Sequence, residues 1–459
     1  MKTTFTLALL LLFSSPFLAA QSVKENNPNL LVDTVKIANW ITKHAIPIET
    51  LELNTINNDD FKQIVNAFKD KRVIGLGDGT HGTKEFFLLK HRLLKYMIDN
   101  ENCKAIALEM PIDVGVHINN FVKTGEGNID DILKNAWWWH QCEEIKSFLV
   151  WLKDYNATKP DNQKVSFYGF DCQVRGDNTY QLFQSLKKMD ENYVENIEPF
   201  YNFLAAFYID NYSSFTSWRK QQCENFVAQL KNLLETKKDD YIKNSSKEEY
   251  FITKARFNVF VTQIEFKKDN MEYSAIRSKA NTETIKILLE MQDANDNLAI
   301  WAHNGHIASD TYIRQEYFNF PTTDGFYDIN VIPEKELTGM QLRKEFGDDY
   351  FNIGFEFYKG GFSAIEYGEG LNDFTVADPE SNTLPYLLNK PNIKSNSYFI
   401  ALNPTAMDSA TLNYFSAQQF CHEIGAAYVS RYVIKRPLSS YNAIVFFKET
   451  TASKLLENK

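Results

Sequence analysis

The segment Arg72-Val-Ile-Gly-Leu-Gly-Asp-Gly-Thr-His-Gly82 decides the fold of this chain. Its apolar part is typical of a buried strand of a parallel sheet, and it ends in Asp78, with His81 close behind. A segment with helical periodicity follows this run. The pattern predicts an α/β fold with a mainly parallel sheet flanked by helices. Three further apolar runs have the same form: 104–109 ending in Glu109, 164–171 ending in Asp171, and 297–303 ending in His303.

The polar ends of these runs predict a functional site. In open α/β sheets the ligand site lies at the carboxyl ends of the strands, so residues distant in sequence should meet there. A buried charge is costly unless it is paired, so packing alone does not account for an acid or histidine at each strand end. We therefore predict a catalytic site formed by Asp78, His81, Glu109 and His303.

Length and charge limit the classes of function. The chain has 459 residues and a net charge of −10, which argues against nucleic acid as a partner because phosphate binding favours a basic surface. The sequence contains no internal repeat and no flexible linker. We predict one domain over residues 21–459, with a helical insertion at about 179–295 that covers one side of the site.

The N-terminus predicts export. Residues 1–20 combine an early lysine, a short apolar run and small residues before Gln21, the pattern of a cleaved signal peptide. The apolar run is too short to span a bilayer, and no later segment is long and apolar enough. The mature protein is expected to be periplasmic or secreted, without a membrane span. Its five cysteines have no close pairing spacing, although one disulfide is compatible with an oxidising compartment.

The glycine-rich loop after the first strand allows three interpretations. Gly77, Gly79 and Gly82 fit a bare Gly-x-Gly-x-x-Gly phosphate-binding spacing, although no Lys-Ser/Thr ending follows. Alternatively, the loop presents Asp78 and His81 as a pair in which the carboxylate raises the basicity of the imidazole for general-base catalysis. A helix-capping turn with an incidental histidine is the third interpretation.

The same acids and histidines are also legitimate metal ligands. The sequence has no His-Glu-x-x-His helix, however, and carboxylates with histidines can hydrolyse esters without metal. There is no Gly-x-Ser-x-Gly elbow, so no serine nucleophile is predicted. A metal-free site without cofactor, in which a histidine activates water, ranks first. His306, three residues after His303, is expected to face the same site, beside Asn304.

Four further features have a structural and a functional interpretation. The run Trp137-Trp-Trp-His140 either anchors a helix or lines a pocket. Asp171 either supports the site or caps a helix. Arg277 is expected to form an ordinary surface salt bridge. Lys90 is expected to be an ordinary solvated lysine unless its helix packs over the strand ends.

At these residues the chain resembles the erythromycin esterase family. The resemblance lies in three segments of the predicted site and covers roughly residues 60 to 450. The chain differs from the family pattern at Asp78, where the acid is usually Glu, and at Lys90, which replaces an arginine of antibiotic-inactivating members. The three segments are Gly77-Asp-Gly-Thr-His-Gly82, Ala107-Leu-Glu109 and Trp301-Ala-His-Asn-Gly-His306.

The resemblance implies metal-independent hydrolysis of a macrolide lactone ester such as erythromycin. By the same resemblance, His81 is the general base that activates water, Glu109 orients or stabilises it, and His303 polarises the ester carbonyl. Lys90, His306, Asn304 and Asp171 are the residues we expect to bind or support the small-molecule ester substrate.

Two other function classes remain open from the sequence. One is a metal-dependent hydrolase of the same fold, since the acids and histidines could serve as ligands. The other is a non-enzymatic protein that binds haem or another apolar ligand through histidines and the tryptophan cluster.

Overall fold

The structure is a computed structural model. It describes residues 33–456 except 56, 174–177, 198–215, 269–272, 312, 317–329, 334–335, 367 and 430. The predicted signal peptide, residues 1–20, lies outside the described residues. None of the helices described here is long and apolar enough to cross a membrane.

The strands form one large and one small sheet. In chain order they are β1 Ile46–Ile48, β2 Val73–Leu76, β3 Cys103–Pro111, β4 Ser166–Asp171, β5 Asn297–Trp301, β6 Ile313–Glu316, β7 Asn330–Pro333, β8 Tyr350–Glu366, β9 Gly370–Val376, β10 Ser397–Ala401, β11 Gln419–His422, β12 Tyr432–Lys435 and β13 Ala443–Thr450.

The α-helices alternate with the strands in the first half of the chain. They are α1 Thr34–His44, α2 Asp59–Asn66, α3 Lys84–Asn100, α4 Ile112–Thr124, α5 Ile129–Leu133, α6 Glu143–Ala157, α7 Asn178–Met189, α8 Ser217–Thr236, α9 Lys238–Asn244, α10 Lys247–Lys268, α11 Tyr273–Met291, α12 Asn304–Ile307, α13 Thr338–Phe346, α14 Leu384–Leu388, α15 Ser409–Ser416 and α16 Pro437–Ser440.

The large sheet is mixed, with mostly parallel strands. Its order is β1-β10-β13-β8-β2-β5-β3-β4, and β9 pairs with β8. All neighbours from β13 to β4 are parallel, whereas β1, β10 and β9 add antiparallel pairs at one side. The predicted fold class is confirmed. The small antiparallel sheet has the order β11-β12-β6-β7.

Helices cover both faces of the large sheet. Successive side chains of a strand point to opposite faces. Along β5, Leu298 and Ile300 therefore enter one apolar core, while Ala299 and Trp301 enter another. The second core includes the buried face of α3, and the first includes residues of α8 to α11, the helical insertion between β4 and β5.

The register of the central strands places the predicted residues side by side. Leu76 at the end of β2 pairs with Trp301 at the end of β5, and Trp301 in turn pairs with Leu108 of β3. The register of β3 with β4 shifts between Leu108 and Pro111, and such irregularities re-aim side chains. Glu109 lies within this irregular stretch, two strands from Asp78.

Candidate active site

The loop after β2 holds Asp78 and His81 together. His81 Nδ1 lies 3.1 Å from Asp78 Oδ1, and Lys90 Nζ of α3 lies 2.7 Å from Asp78 Oδ2. All three side chains are buried. The carboxylate therefore lies between an imidazole and an ammonium group, in the arrangement that fixes the tautomer of a catalytic histidine.

The glycines of this loop serve close backbone packing. A Cβ on Gly82 would lie 2.1 Å from the carbonyl oxygen of Ser363, so only glycine fits there. The Ile424 N–H donates to the carbonyl of Gly79 at 2.7 Å, and the Ser453 N–H donates to the carbonyl of Gly82 at 2.9 Å. The loop is anchored by the C-terminal part of the chain, which favours the interpretation that it presents Asp78 and His81.

Arg277 of α11 joins the ends of β3 and β4. Its guanidinium donates to Asp171 at 3.0 and 2.8 Å and to Glu109 Oε1 at 3.0 Å. The surface salt bridge expected for Arg277 is therefore wrong, because its partners are two buried carboxylates. Asp171 also accepts from the Gln173 N–H at 3.2 Å and anchors Arg277 beside the site.

Glu109 is the centre of a second polar cluster. Its Oε1 lies 3.0 Å from His306 Nε2, and its Oε2 accepts from the His303 backbone N–H at 2.9 Å. Burial alone would raise the pKa of Glu109, but His306, His81 and Arg277 hold it well below its usual value. Glu109 is therefore ionised over the whole physiological pH range.

His303 is placed as a neutral hydrogen-bond donor. The Gly305 N–H donates to His303 Nδ1 at 3.2 Å, so the ring proton of the neutral form is on Nε2. Nε2 is buried and has no hydrogen-bond partner among the described residues. Burial lowers the pKa of His303 well below its usual value, and the neighbouring His81 lowers it further. The ring lies 5.1 Å from that of His81.

His81 has the opposite electrostatic character. Burial alone would lower its pKa, but the Asp78 carboxylate and then Glu109 more than offset burial and raise it. Because Nδ1 faces Asp78, Nε2 is the nitrogen left to accept a proton. One imidazole is thus basic and the other a neutral donor, the combination that acid–base chemistry on a carbonyl group requires.

Lys90 and Asn304 support the site from below. Lys90 is 0% exposed, so the solvated-lysine interpretation is wrong: α3 packs over the strand ends and directs Nζ to Asp78. Burial lowers its pKa to about 8 even though Asp78 acts against the shift. The Asn304 amide bonds the backbone of Phe355 on both its polar atoms. Both side chains therefore make supporting contacts within the protein.

The tryptophan run lies beside the Asp78–His81 pair. Trp139 stacks on His81 with ring centroids 4.4 Å apart and an interplanar angle of 9°. His140, buried next to it, has its pKa lowered to about 3 by burial and then by His81. Of the three tryptophans, Trp139 therefore contacts the residue predicted to be the general base.

Sequence analysis missed a buried pair behind His303. Glu423 Oε1 lies 3.8 Å from His303 Nδ1, Glu423 forms an ion pair with Lys435, and Lys435 Nζ donates to the Tyr441 hydroxyl at 2.6 Å. These residues lie in short elements of the small sheet and its connections. An acid directly after β11, Gln-Phe-Cys-His422, was the available signal.

The carboxylate oxygens of the two polar clusters, which could bind a metal ion, face positively charged side chains of the protein. Asp78 faces Lys90, and Glu109 faces Arg277. Within the described part of the chain, no group of three His, Cys, Asp or Glu side chains has a geometry that could hold a metal ion. All five cysteines are buried and free, so the disulfide considered from the sequence is not formed here.

A family model described as erythromycin esterase matches residues 98–450, more than half of the chain. The chain belongs to the erythromycin esterase family. The matched region contains Glu109 and His303 but begins after the Asp78–His81 loop. Family membership supports hydrolase activity.

The curated proteins that this chain resembles share less than a quarter of their aligned residues with it. The chain is 24% identical over 404 residues to erythromycin esterase type II of Escherichia coli, covering 82% of this chain and 91% of that protein. It is 21% identical over 289 residues to the putative hydrolase YbfO of Bacillus subtilis (strain 168), covering 58% and 63%.

Solved structures support the fold. A Bacillus cereus protein of 21% identity has a TM-score of 0.75, with 93% of this chain and 100% of that chain covered. A histidine mutant of an erythromycin esterase in its open conformation, 15% identical, has a TM-score of 0.64 over 90% of this chain and 99% of that chain.

Proposed function

We propose that this protein is an exported ester hydrolase that opens the lactone ring of a macrolide with histidine-activated water and without metal. The observation that carries the proposal is the pair of imidazoles of opposite character, His81 held by Asp78 and His303 held by Gly305, with centroids 5.1 Å apart. A base and a hydrogen-bond donor at this spacing fit the two sides of a carbonyl undergoing attack by water.

In the first step His81 acts as general base. Nε2 takes a proton from water while the water oxygen bonds to the ester carbonyl carbon, and the carbonyl π electrons move to its oxygen. Asp78 stabilises the imidazolium that forms, and Lys90 balances the Asp78 charge in the buried site. The product of this step is a tetrahedral oxyanion.

In the second step His303 stabilises this oxyanion. Its Nε2–H is the donor aimed at the negative oxygen, and a donor in a dry site contributes more than it would in water. Collapse re-forms the carbonyl and breaks the ester C–O bond, and the leaving alkoxide receives the proton from His81. The products are a carboxylic acid and an alcohol, which in a lactone belong to one opened ring.

Glu109 has a supporting role in this scheme. It fixes the His303 backbone through its Oε2 and the His306 ring through its Oε1. Its negative charge also raises the pKa of His81. Arg277 holds Glu109 in the ionised, oriented form that these contacts require.

Charge balance supports the metal-independent form of the proposal. A divalent cation at Asp78 or Glu109 would have to compete with Lys90 and Arg277, whose charges already neutralise these carboxylates and would repel it. Export is proposed from the signal-peptide pattern of residues 1–20, and the macrolide substrate from the names of the Escherichia coli relatives.

The test uses the purified mature protein and a panel of macrolides of different ring size, with products followed by mass spectrometry. We expect a gain of one water, absent in His81→Ala and retained in His44→Ala, a histidine at the end of α1, which contacts β10 near one edge of the sheet. A parallel assay with a chelator, together with elemental analysis, tests the metal-independent mechanism. No change in any macrolide would contradict the substrate, and loss of activity with chelator would contradict the mechanism.

A further inference from the structure

The indole of Trp139 is stacked on the imidazole of His81, and two further indoles contact that of Trp139. The imidazole of His81 lies against the indole of Trp139, at 4.4 Å and 9°, and the indole of Trp139 is stacked with that of Trp137, at 5.8 Å and 19°. Trp138 meets Trp139 edge-on at 5.7 Å and 88°. One indole therefore contacts His81 face to face and is itself contacted by two other indoles.

The backbone that carries Trp139 is fixed at both ends of a short 3-10 turn, Trp138–His140. The His140 N–H donates to the Trp137 carbonyl at 3.0 Å, which closes the turn. After the turn, the Leu456 N–H donates to the Gln141 carbonyl and the Glu143 N–H to the Lys454 carbonyl, each at 2.8 Å. Residues 454–456 of the C-terminal segment thus hold the backbone that follows Trp139.

We infer that Trp139 is a positioning residue that fixes the ring plane of His81 and stabilises its protonated form. The inference rests on the proposed function, in which His81 carries a proton between the two steps. A single contact between Nδ1 and Asp78 restrains one edge of the ring but leaves its tilt free. A parallel indole removes that freedom, and an aromatic face also attracts a cation placed over it.

Several charged side chains surround His81, whereas the indole of Trp139 carries no formal charge. The effect of Trp139 on the protonation of His81 can therefore be separated from the effects of these charges. If the indole were only a wall for the substrate, its removal would change substrate binding and, by letting water reach the ring, would leave the pKa of His81 unchanged or raise it. The titratable groups around His81 are Asp78, Lys90, Glu109, His140 and His303.

The first experiment measures the pKa of His81 directly by NMR titration of its imidazole in the substrate-free protein, with the signal assigned by its loss in His81→Gln. In Trp139→Leu we expect a pKa lower by roughly half to one and a half units than in the wild type. Trp218→Leu, which removes a tryptophan that is 64% exposed on α8, is the matched control and should leave the pKa unchanged. If Trp139→Leu fails to fold, Trp139→Met provides the same comparison with a longer apolar side chain.

The second experiment measures kcat and KM on a hydrolysed macrolide. In Trp139→Leu, loss of the stack should lower kcat by about tenfold with little change in KM. Trp139→Phe keeps an aromatic face and should retain most of the wild-type kcat. An unchanged His81 pKa, or a raised KM at constant kcat, would overturn the inference. If the wild type hydrolyses no macrolide, the proposed function fails, and the NMR titration still decides the role of Trp139.

Discussion

Lys90 Nζ lies 2.7 Å from Asp78 Oδ2, and neither side chain is exposed to solvent. The ammonium group also lies over the rings of Trp301 and Phe355, at 4.8 and 5.2 Å from their centroids. A lysine of α3 thus reaches under the strand ends and compensates the charge of the residue that holds His81. The lysine occupies the place of the arginine that the family resemblance leads one to expect, with a shorter acid opposite it.

Removing the charge of Lys90 should destabilise the protein. In Lys90→Met the Asp78 carboxylate stays buried without its cation, which costs about 3–5 kcal/mol of unfolding free energy. The double variant Asp78→Asn/Lys90→Met removes both charges and should be more stable than the single one. Urea unfolding of the wild type, the single variants Lys90→Met and Asp78→Asn, and the double variant measures this. A double variant as unstable as the sum of both single variants would show that the pair is not coupled.

In a pH profile of the wild type, the acid limb, where kcat/KM falls with falling pH, should lie above the usual histidine pKa of 6.5. The reason is that Asp78 and Glu109 raise the pKa of His81. His81 is a base only when unprotonated, so kcat/KM falls as the pH drops through this value. In Asp78→Asn one of the raising charges is lost, and we expect the limb to move to lower pH while the maximal rate also falls. A pH profile of kcat/KM on both proteins checks the direction; a limb that moves to higher pH would contradict the assignment.

His303 should contribute as a hydrogen-bond donor and not as a base. His303→Ala should lower kcat by about 10²–10³-fold, the usual effect of removing an oxyanion donor. Its pKa lies well below 6.5, so His303 is neutral across the activity range. His303→Gln keeps a side-chain N–H and should retain more activity than His303→Ala, with the acid limb unmoved. Equal activities of the two variants would contradict a donor role.

Glu109 should make the stability of the protein sensitive to acid. Its pKa in the folded state lies well below 4.5, so its stabilising contribution is complete above its unfolded pKa and is lost as pH falls through the folded value. Relative to Glu109→Gln, the wild type should be more stable by roughly 3 kcal/mol at pH 7. The difference should shrink as pH falls below about 4.5. Unfolding by urea at several pH values tests this, and a difference that stays constant down to pH 3 would be the contrary result.

The strands of the core were predictable because their apolar runs are short and end in turn or polar residues. The predicted strands 104–109 and 297–303 correspond to Cys103–Pro111 and Asn297–Trp301. β8 continues from Tyr350 to Glu366, past Gly360 with its positive φ of 123°. Its last residues pair with β9, a contact that no local pattern indicates.

Supporting residues were harder to predict than the residues at strand ends. Lys90 and Arg277 lie in helices with many other charged residues, and nothing in helical periodicity separates a buried cation from a solvated one. Glu423 and Lys435 lie in short strands far along the chain, where an isolated acid or lysine has no distinctive spacing. Their roles depend on which side chains they meet.

The fold class and the residues that gather at the sheet edge follow from the local pattern alone, since short apolar runs with polar ends form parallel strands whose carboxyl ends align. Only the tertiary structure decided how those residues behave. Asp78 and Glu109 make His81 basic, burial makes His303 neutral, and Lys90 and Arg277 neutralise the acids. Burial and charge–charge distances set these properties, and both depend on contacts between distant segments, such as the one between Glu109 and His303, which are 194 residues apart.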